Sequence, residues 1–365
     1  MRAAVLTGIN EGLRIEELAE PVPQAGEVLL DVAACGVCHT DLHVMKGEVA
    51  FPTPCVLGHE VAGTVAGLGP GVDTVTVGQR VACSFIMPCG TCRHCVRGHD
   101  DLCEKFFSHN RLGGVLYDGE TRLHRPDGTK VWMYSMGGLA DRCVVPATSV
   151  FPVPDDIPLA DAAILGCSVF TAVGAARNAA DLRPGETVAV VAVGGVGTNL
   201  VQVARAFGAK KVIAIDLVDD KLELARQLGA TDVIHAGQED VVERVHDLTG
   251  GQGVDVVFEA LGHASTVETA MRLADDGGRV VLVGIAPVGT TAALDITRVV
   301  RRKLQVRGSY GGRPRADMPL VLDLVAQGKV LTNQLITRRV PLERADEVYQ
   351  QLARGEVVGR AVIEM

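Results

Sequence analysis

Cysteine is the residue type that offers the most metal-binding and nucleophilic chemistry in this chain of 365 residues. Four of the ten cysteines form one closely spaced run, Cys89-x2-Cys92-x2-Cys95-x7-Cys103. Four thiolates on a compact loop suit a tetrahedral Zn²⁺ ion. Because such a closed site leaves no coordination position for a substrate, we expect it to stabilise the loop and to take no part in catalysis.

Two other kinds of cysteine-rich site fit this run less well. The bacterial ferredoxin motif places its fourth cysteine after three residues and follows it with proline. Here the last gap is seven residues, and Glu104 follows Cys103. A nucleic-acid-binding zinc ribbon has two CxxC pairs about 15–20 residues apart, and no two pairs in this chain have that separation.

A second set of metal-binding side chains is spread over three segments. Cys38, His59 and Cys167 supply two thiolates and one imidazole. This is the donor set of a catalytic zinc whose fourth position is left for water or substrate. Asp41 and Glu60 fit positions beside the ligands, where a carboxylate orients a ligating histidine. We interpret the remaining cysteines as small buried apolar side chains, namely Cys35, Cys55, Cys83 and Cys143.

A glycine-rich turn in the middle of the chain has the features of a dinucleotide site. The apolar run 190–193 is followed by Gly194-Gly195-Val196-Gly197, which opens a helix. Glycines at this point allow a tight turn and close approach to a pyrophosphate, and the helix N-terminus offers free N–H groups. Asp216 lies nineteen residues after Gly197 at the end of the next strand. A carboxylate there accepts hydrogen bonds from the adenosine ribose and repels a 2′-phosphate, so NAD is favoured over NADP.

The first position of this fingerprint departs from the usual pattern, because Ala192 stands where glycine is common. Alanine enters positive φ less readily than glycine. We therefore expect a negative φ and an unstrained turn at Ala192, with slightly altered packing against the pyrophosphate and no loss of binding.

Two regions of different patterning must position these residues. The pattern of the first 150 or so residues predicts short strands between Gly/Pro turns, and hence a β-rich domain. Examples of these strands are 3–6, 28–33, 61–65 and 142–145. After that, apolar strands alternate with helices, which predicts a parallel sheet covered on both faces. The predicted strands are 187–193, 211–215, 254–258 and 279–283, and the predicted helices are 196–207, 220–228, 240–248 and 266–274. Two more helical segments, 318–327 and 342–353, and a strand at 360–364 end the chain.

Composition argues against several classes of protein. The formal net charge of −9 argues against a nucleic-acid-binding protein, which would normally have a basic face. No apolar run reaches the about 18 residues needed to cross a bilayer, and the first residues lack the apolar core of a signal peptide. Ten cysteines without such a signal indicate a reducing compartment. We therefore expect a cytoplasmic protein with no nucleic-acid or membrane partner.

In their order along the chain, these motifs resemble the zinc-containing medium-chain alcohol dehydrogenase family over essentially the whole length. The resemblance rests on Gly58-His59-Glu60, on the four-cysteine run, and on the glycine turn with Asp216. It implies two zinc ions per chain and reversible hydride transfer between an alcohol or aldehyde and NAD(H).

The resemblance also implies an α/β fold with two domains. Residues 1–168 and 310–365 would form a GroES-like β-rich catalytic domain, with the structural zinc lobe at 89–103. Residues 169–309 would form a Rossmann domain with a doubly wound parallel sheet that binds NAD.

The family pattern assigns roles to the residues around the second metal site. Cys38, His59 and Cys167 match the catalytic zinc ligands, with Asp41 supporting His59 and Glu60 acting as an outer or transient ligand. Thr40 matches the hydroxyl that takes the alcohol proton, and His43 matches the outer end of the proton relay. The remaining matched positions are cofactor contacts at His39, Lys221, Val283 and Arg360, and an apolar substrate channel lined by Val49, Phe85 and Ile285.

The apolar channel suggests a primary alcohol with an alkyl, allylic or aryl tail. About 36 residues separate Cys103 from the segment 139–141, and this long loop resembles the dimeric branch of the family, so we expect a homodimer, with a homotetramer as the alternative. Phe107 stands where the branch that oxidises thiol adducts of formaldehyde has arginine. A glutathione adduct is thus disfavoured, and another thiol carrier stays open.

Three other functions share part of this pattern. A polyol or secondary-alcohol dehydrogenase of the same superfamily is the nearest, although many polyol enzymes use glutamate where this chain has Cys167. A zinc-free quinone or enoyl reductase would lack both cysteine sites. A non-catalytic zinc or redox sensor would use the cysteines but would not need Thr40, His43 and Asp216 as well.

Overall fold

The computed structural model describes residues 1–365, in which strands and α-helices are distributed over two compact units. The strands are β1 (Arg2–Leu6), β2 (Leu13–Glu17), β3 (Glu27–Gly36), β4 (Cys55–Val56), β5 (Val61–Leu68), β6 (Arg80–Cys83), β7 (Leu123–His124), β8 (Lys130–Met133), β9 (Arg142–Pro146), β10 (Val150–Pro152), β11 (Thr187–Val191), β12 (Lys211–Asp216), β13 (Asp232–His235), β14 (Val254–Glu259), β15 (Ala274–Leu282), β16 (Gln305–Gly308), β17 (Ile336–Pro341) and β18 (Arg360–Glu364).

Helices are short in the N-terminal part of the chain and longer from the middle onwards. They are α1 (His39–Met45), α2 (Arg93–Val96), α3 (Leu159–Ala162), α4 (Ser168–Gly174), α5 (Gly195–Ala206), α6 (Asp219–Gln227), α7 (Val241–Leu248), α8 (Ala264–Leu273), α9 (Ile296–Arg302), α10 (Pro314–Ala326), α11 (Thr332–Leu335) and α12 (Ala345–Ala353).

The first unit comprises residues 1–170, 313–326 and 332–365 and is built on two sheets. One sheet has the strand order β2-β1-β4-β8-β7, and the other has the order β10-β6-β5-β3-β18-β17 with β9 also paired to β3. The C-terminal strand β18 lies antiparallel to β3, with Val362 opposite Gly36. Strands from both ends of the chain therefore share one sheet. The predicted strands at 3–6, 28–33, 61–65 and 142–145 are confirmed as parts of β1, β3, β5 and β9.

The second unit comprises residues 171–312 and 327–331 and contains one sheet of six parallel strands, β13-β12-β11-β14-β15-β16. Chain order runs outward from β11 in one direction to β13, and from β14 in the other direction to β16. This is the strand order of a Rossmann fold, and the point of reversal lies beside β11. All five residues of β11 are buried, as expected for a strand covered on both faces. The predicted α/β class is confirmed.

Predicted boundaries in the second unit are close to the observed ones, with one exception. The strand predicted at 279–283 begins earlier, at Ala274, as β15. The structure also contains β13 and β16, which the sequence analysis did not identify. Both are four residues long and largely outside the buried core, so they have no apolar run that would reveal them.

No single helix is long and apolar enough to cross a membrane. Two consecutive bent segments, Leu159–Gly166 and Ser168–Ala179, reach that length and apolar character only when they are taken together, which is weak evidence for a span.

Candidate active site

Four metal-binding side chains form one buried group in the first unit: Cys38, His59, Glu60 and Cys167. Their potential ligand atoms all lie within 4.8 Å of one another. Cys38 immediately precedes α1, His59 and Glu60 link β4 to β5, and Cys167 follows the short 3₁₀ turn Ala163–Gly166. The structure thus brings together the three predicted ligands and Glu60.

Gly58 gives the β4–β5 link the conformation that places His59 in this group. Its φ is +95°, and a Cβ there would lie 2.7 Å from the backbone nitrogen of Leu139. Only glycine meets both conditions without strain. The backbone conformation and the close packing therefore require the glycine of the Gly-His-Glu motif.

The imidazole of His59 is held by Asp41, which is fully buried on α1. Asp41 Oδ1 lies 3.0 Å from His59 Nδ1 and accepts the Gly58 backbone N–H at 3.2 Å. Burial lowers the pKa of His59, but the Asp41 carboxylate and the Cys38 thiolate outweigh burial and raise this pKa to about 10. Because Nδ1 is bonded to Asp41, Nε2 is the nitrogen left to bind a metal.

The pKa values of the two thiols in this group are shifted in opposite directions. A hydrogen bond from Cys167 lowers the pKa of Cys38, and the same bond raises the pKa of Cys167. Two sulfur donors and one imidazole nitrogen are a ligand set that zinc accepts, and their ligand atoms lie within 4.8 Å of one another. The residues therefore fit a zinc ion.

Glu60 and Arg360 form a buried ion pair beside this group. Both carboxylate oxygens of Glu60 accept from Nη2 of Arg360, the first residue of β18. Burial raises the pKa of Glu60, and Arg360 opposes that shift. Arg360 Nε is buried without a hydrogen-bond partner. The predicted cofactor contact of Arg360 would thus come from a side chain that already neutralises Glu60.

The two residues of the predicted proton relay lie on α1. Thr40 and His43 are three positions apart, so they share one face of the helix. Both are partly exposed. His43 Nδ1 is hydrogen-bonded to Glu48, a carboxylate that the sequence analysis did not single out, and this bond lowers the pKa of Glu48. His39, the first residue of α1, is exposed.

Two aromatic rings lie close to His59. The ring centroid of Phe85 lies 6.0 Å from that of His59, and that of Tyr134 lies 6.4 Å away. Phe51 stacks edge-on against Tyr134 at 4.9 Å. Tyr134 and Phe51 were missed because no motif marks them. Among the predicted lining residues, Val49 is partly buried in this unit and Ile285 is exposed in the second unit.

The four cysteines of the predicted structural site form a separate group, with all four sulfur positions within 4.8 Å of one another. Cys103 Sγ accepts the backbone N–H of Cys89 at 3.2 Å, and Cys89 Sγ accepts that of Cys92 at 3.3 Å. Burial raises the pKa of Cys92, but backbone N–H donors outweigh it and lower this pKa to about 6. Four sulfur atoms this close to one another are the donor set of a structural zinc, so this group also fits a zinc ion.

Arg315 holds this cysteine lobe to α10. Its Nη2 donates to the Cys95 carbonyl at 2.6 Å, and its Nε donates to Asp100 Oδ2 at 2.9 Å. Residues from the C-terminal segment thus support the lobe.

In the second unit, β11 ends at Val191, Gly194 is the N-cap of α5, and Gly195-Val196-Gly197 are the first three residues of that helix. The expectation of a negative φ at Ala192 is wrong, since its φ is +69°. The backbone is set by its neighbours: Ala192 N donates to the Ile215 carbonyl at 2.8 Å, and Val193 N donates to Asp216 Oδ2 at 2.9 Å. These two bonds hold alanine in the left-handed region despite its Cβ.

Asp216 ends β12, where the sequence analysis expects the ribose contact. Besides Val193, it accepts the backbone N–H groups of Leu217 at 2.8 Å and Val218 at 3.2 Å through Oδ1. Lys221 Nζ lies 3.9 Å from the same oxygen. Asp216 is therefore also a structural residue of the glycine turn, which the sequence pattern did not indicate.

Val283 directly follows β15 at the same end of the sheet. Its backbone nitrogen donates to the Glu259 carbonyl at 2.8 Å. The buried Glu259 carboxylate in turn accepts backbone N–H groups of Leu261 and Gly262 and shapes the loop after β14.

A Rossmann sheet with a glycine turn and an acid after its second strand, combined with two groups of zinc-type donors, defines a zinc-binding, nicotinamide-dependent oxidoreductase. Comparison with known proteins narrows this class. Residues 24–155 match the alcohol dehydrogenase GroES-like domain, and residues 195–327 match the zinc-binding dehydrogenase family.

Relatives align along the whole chain. An NDMA-dependent alcohol dehydrogenase of Amycolatopsis methanolica is 37% identical over 99% of this chain and 98% of its own length. An alcohol dehydrogenase of Geobacillus stearothermophilus is 34% identical over 100% of both chains. The crystal structure of benzyl alcohol dehydrogenase from Acinetobacter calcoaceticus superimposes with a TM-score of 0.93 at 29% identity, over 100% of this chain and 99% of that one.

The chain therefore belongs to the zinc-containing medium-chain alcohol dehydrogenase family. It is an oxidoreductase that acts on alcohols with zinc and a nicotinamide cofactor, which confirms the resemblance inferred from its motifs.

Proposed function

We propose that the protein oxidises primary alcohols with NAD⁺, and reduces the corresponding aldehydes, at the site formed by Cys38, His59 and Cys167. The observation that carries this proposal is the buried group of two thiols and one imidazole, oriented by a fully buried carboxylate. Bound by these residues, zinc would supply Lewis acidity towards an alcohol oxygen. We propose a second zinc at the four-cysteine lobe, with a structural role only.

The proton of the alcohol leaves through α1 in this proposal. Thr40 accepts the proton through its hydroxyl, and His43 passes it to solvent. Support comes from their common helix face and from the partial exposure of both side chains. Glu48 orients the His43 ring through Nδ1, so Nε2 is the nitrogen available to the relay.

We propose NAD as the cofactor, bound at the glycine turn of the second unit. Each carboxylate oxygen offers about two lone pairs. Asp216 uses three acceptor positions for backbone N–H groups, which leaves room for a ribose hydroxyl. Its charge would repel a 2′-phosphate. His39, Lys221, Val283 and Arg360 are proposed as further cofactor contacts.

The substrate we propose is an aryl or allylic primary alcohol, with alkyl alcohols as weaker substrates. The rings of Phe85 and Tyr134 lie beside His59, and Val49 and Ile285 are proposed as further apolar contacts of the substrate. Aromatic walls favour a flat, apolar tail through edge-to-face contacts. The similarity to a benzyl alcohol dehydrogenase supports the same choice.

We further propose a homodimer formed by the edge of the Rossmann sheet. β16 is the last strand of that sheet, and its outer edge is paired with no strand of this chain. Exposed edges are readily covered by a second copy. Large apolar side chains are exposed on and near this edge, namely Val288, Leu294, Ile296, Val300 and Val306. Light scattering after size-exclusion chromatography would test the proposal, and a monomer at micromolar concentration would refute it.

The cytoplasm is the proposed compartment. All ten cysteines are free thiols, and eight of them are buried. A reducing environment keeps such thiols available for metal binding.

The test of the function is an NAD⁺-reduction assay over primary, secondary, benzylic and polyol substrates, combined with metal analysis. We expect two zinc ions per chain and the highest kcat/KM with benzylic or allylic primary alcohols. A clear preference for polyols or secondary alcohols would replace the proposed substrate class. One zinc per chain with no alcohol-dependent NADH formation would instead favour a zinc sensor.

The variant Cys38→Ala tests in the same assay whether this residue is a ligand of the catalytic metal. We expect turnover to fall below detection while the fold is retained, because Cys38 is the N-cap of α1 and belongs to no strand of the sheets. Unchanged turnover in Cys38→Ala would exclude this residue as a ligand.

A further inference from the structure

Tyr349, on the C-terminal helix α12, makes a buried contact that the proposed mechanism has not used. Its hydroxyl donates to Asp41 Oδ2 at 2.8 Å across a separation of 308 residues in the chain. Both side chains are completely buried. Asp41 Oδ1 in turn holds the Nδ1 atom of His59. A chain of hydrogen bonds therefore runs from α12 through α1 to a ligand of the proposed catalytic metal.

We propose that Tyr349 is a positioning residue for the catalytic metal, acting through Asp41 on His59. The inference rests on the proposed function, since it requires His59 to be a ligand. Nothing in the sequence spacing or in the family comparisons assigns this role.

The physical basis is the freedom of the Asp41 carboxylate plane. The terminal torsion of aspartate is broad, so the plane rotates easily unless both oxygens are bonded. Oδ1 accepts from Gly58 and His59, and Tyr349 is the donor to Oδ2. The tyrosine hydroxyl thus fixes the plane, and with it the direction from which Oδ1 contacts the imidazole.

The same bond also controls charge. Asp41 is a buried carboxylate, and a buried charge is tolerated only when its oxygens are hydrogen-bonded. Tyr349 disperses part of this charge. Without the tyrosine hydroxyl, Oδ2 would lack a donor, and the carboxylate would turn to find one or attract the His59 proton more strongly. Either change disturbs the nitrogen that binds the metal.

Docking of α12 does not depend on this hydroxyl alone. Asp346, one turn earlier on the same helix, accepts the Leu13 backbone N–H at 2.8 Å. The side chains of Val348 and Leu352, on the same helix, are also buried. A variant at Asp346 therefore separates loss of helix docking from loss of the Asp41 bond.

The experiment compares zinc release from the full-length wild type, Tyr349→Phe and Asp346→Ala. Each protein is mixed with a chromogenic zinc chelator, and release is followed over time. The phase that belongs to the catalytic metal is identified as the one absent from Cys38→Ala. We expect Tyr349→Phe to accelerate this phase about tenfold, as for other residues that support a ligating histidine, and to leave the phase of the four-cysteine lobe unchanged.

Asp346→Ala supplies the matched control, because it weakens the docking of the same helix without touching Asp41. We expect it to lower thermal stability while both release phases keep their wild-type rates. Equal acceleration in the two variants would show that Tyr349 acts only by holding the helix. An unchanged catalytic phase in a folded Tyr349→Phe protein would also overturn the proposal.

A double-mutant cycle tests whether the effect passes through Asp41. In an Asp41→Asn background, Tyr349→Phe should add less than a twofold further change in zinc release, because the carboxylate it orients is gone. A full tenfold additional change would place the action of Tyr349 elsewhere. A wild type that carries only the lobe zinc would refute the proposed catalytic site itself, a result distinct from an unaltered release phase.

Discussion

At the scale of a single residue, Asp216 combines a proposed role in cofactor binding with an observed role in the geometry of the glycine turn. The sequence pattern indicates a ribose-binding acid, and the structure adds three backbone N–H groups that it accepts, one of them from Val193 in the glycine turn. Substitution of Asp216 therefore changes cofactor choice and turn geometry together. An experiment on cofactor preference must separate the two effects.

We expect Asp216→Gly to lower kcat/KM with NAD⁺ by at least about tenfold, since a hydrogen bond to a charged group contributes roughly 1.5–3 kcal/mol, and to raise kcat/KM with NADP⁺. Steady-state kinetics with both cofactors measures the change. Asp216→Asn is the control, because its one amide oxygen can still accept either from Val193 or from Leu217 and Val218 while the charge is gone. A glycine variant that remains strictly NAD-dependent would contradict the proposed ribose contact.

Ala192 is the residue at which the sequence-based expectation failed. Its φ of +69° is a conformation that costs a residue with a Cβ about 1–2 kcal/mol relative to the right-handed region. The bonds of Ala192 N to Ile215 and of Val193 N to Asp216 outweigh this cost locally. The turn therefore has a positive φ at this position although the residue is alanine and not glycine.

Ala192→Gly should therefore stabilise the protein. Relief of the left-handed strain outweighs the larger unfolded-state entropy of glycine, which is about 0.4–1 kcal/mol, so we expect a net gain of about 0.5–1 kcal/mol. Urea titration of the free energy of unfolding measures it. Ala189→Gly, within β11, is the matched control and should destabilise. A loss of stability in both variants would show that Ala192 is not strained.

At the scale of elements, the packing of α5 against the glycine turn depends on Gly197. A Cβ there would lie 2.0 Å from the Ala192 carbonyl oxygen, which belongs to rigid backbone. Gly194 differs, because a Cβ on it would meet nothing within 4 Å. One glycine is thus needed for packing between a helix and a strand, and the other leaves open space at the helix N-terminus, where the cofactor phosphates are proposed to bind.

These two glycines give opposite expectations on substitution by alanine. Gly197→Ala should lower the free energy of unfolding by about 3 kcal/mol, because overpacking against backbone displaces α5. Gly194→Ala should change that free energy by less than about 1 kcal/mol and instead weaken NAD binding. Urea titration and cofactor-binding fluorescence distinguish the two losses. Equal stability losses would contradict the described packing.

At the scale of the whole molecule, both metal groups lie in the first unit and neither has a residue in the second. The second unit has its own apolar core, which includes Ile213, Val257 and Val280. We therefore expect bound metal to stabilise the first unit directly. The other unit is held by strand pairing and apolar burial.

Removal of zinc should consequently shift one calorimetric transition and not the other. A ligand at 1,000 times its Kd contributes about 4 kcal/mol, and 1 kcal/mol corresponds to about 2–4 °C in a domain of this size. We expect the first unit of the metal-free protein to melt roughly 10 °C lower, with the second within about 2 °C of its original Tm. Scanning calorimetry before and after dialysis against a chelator tests this, with re-addition of zinc as the control. A single transition that shifts as a whole would contradict independent units.

Several parts of the fold and site are readable from local sequence because each has a local physical cause. Strands β11, β12 and β14 are continuous apolar runs, and the glycine turn is set by steric limits on a few adjacent residues. The four-cysteine lobe closes within fifteen positions, so its spacing alone indicates a metal. β13 and β16 escaped detection because short, partly exposed strands carry no periodic signal.

Contacts between distant parts of the chain could be decided only by the tertiary structure. The bond from Tyr349 to Asp41 and the pair of Arg360 with Glu60 join residues 308 and 300 positions apart, and no spacing rule connects them. The positive φ of Ala192 likewise follows from bonds to Ile215 and Asp216 on the neighbouring strand. Local sequence therefore determined which donors are present and which elements carry them, because steric and apolar patterns act over a few residues. Packing of the two ends of the chain decided how those donors are oriented, because orientation depends on partners that only folding brings together.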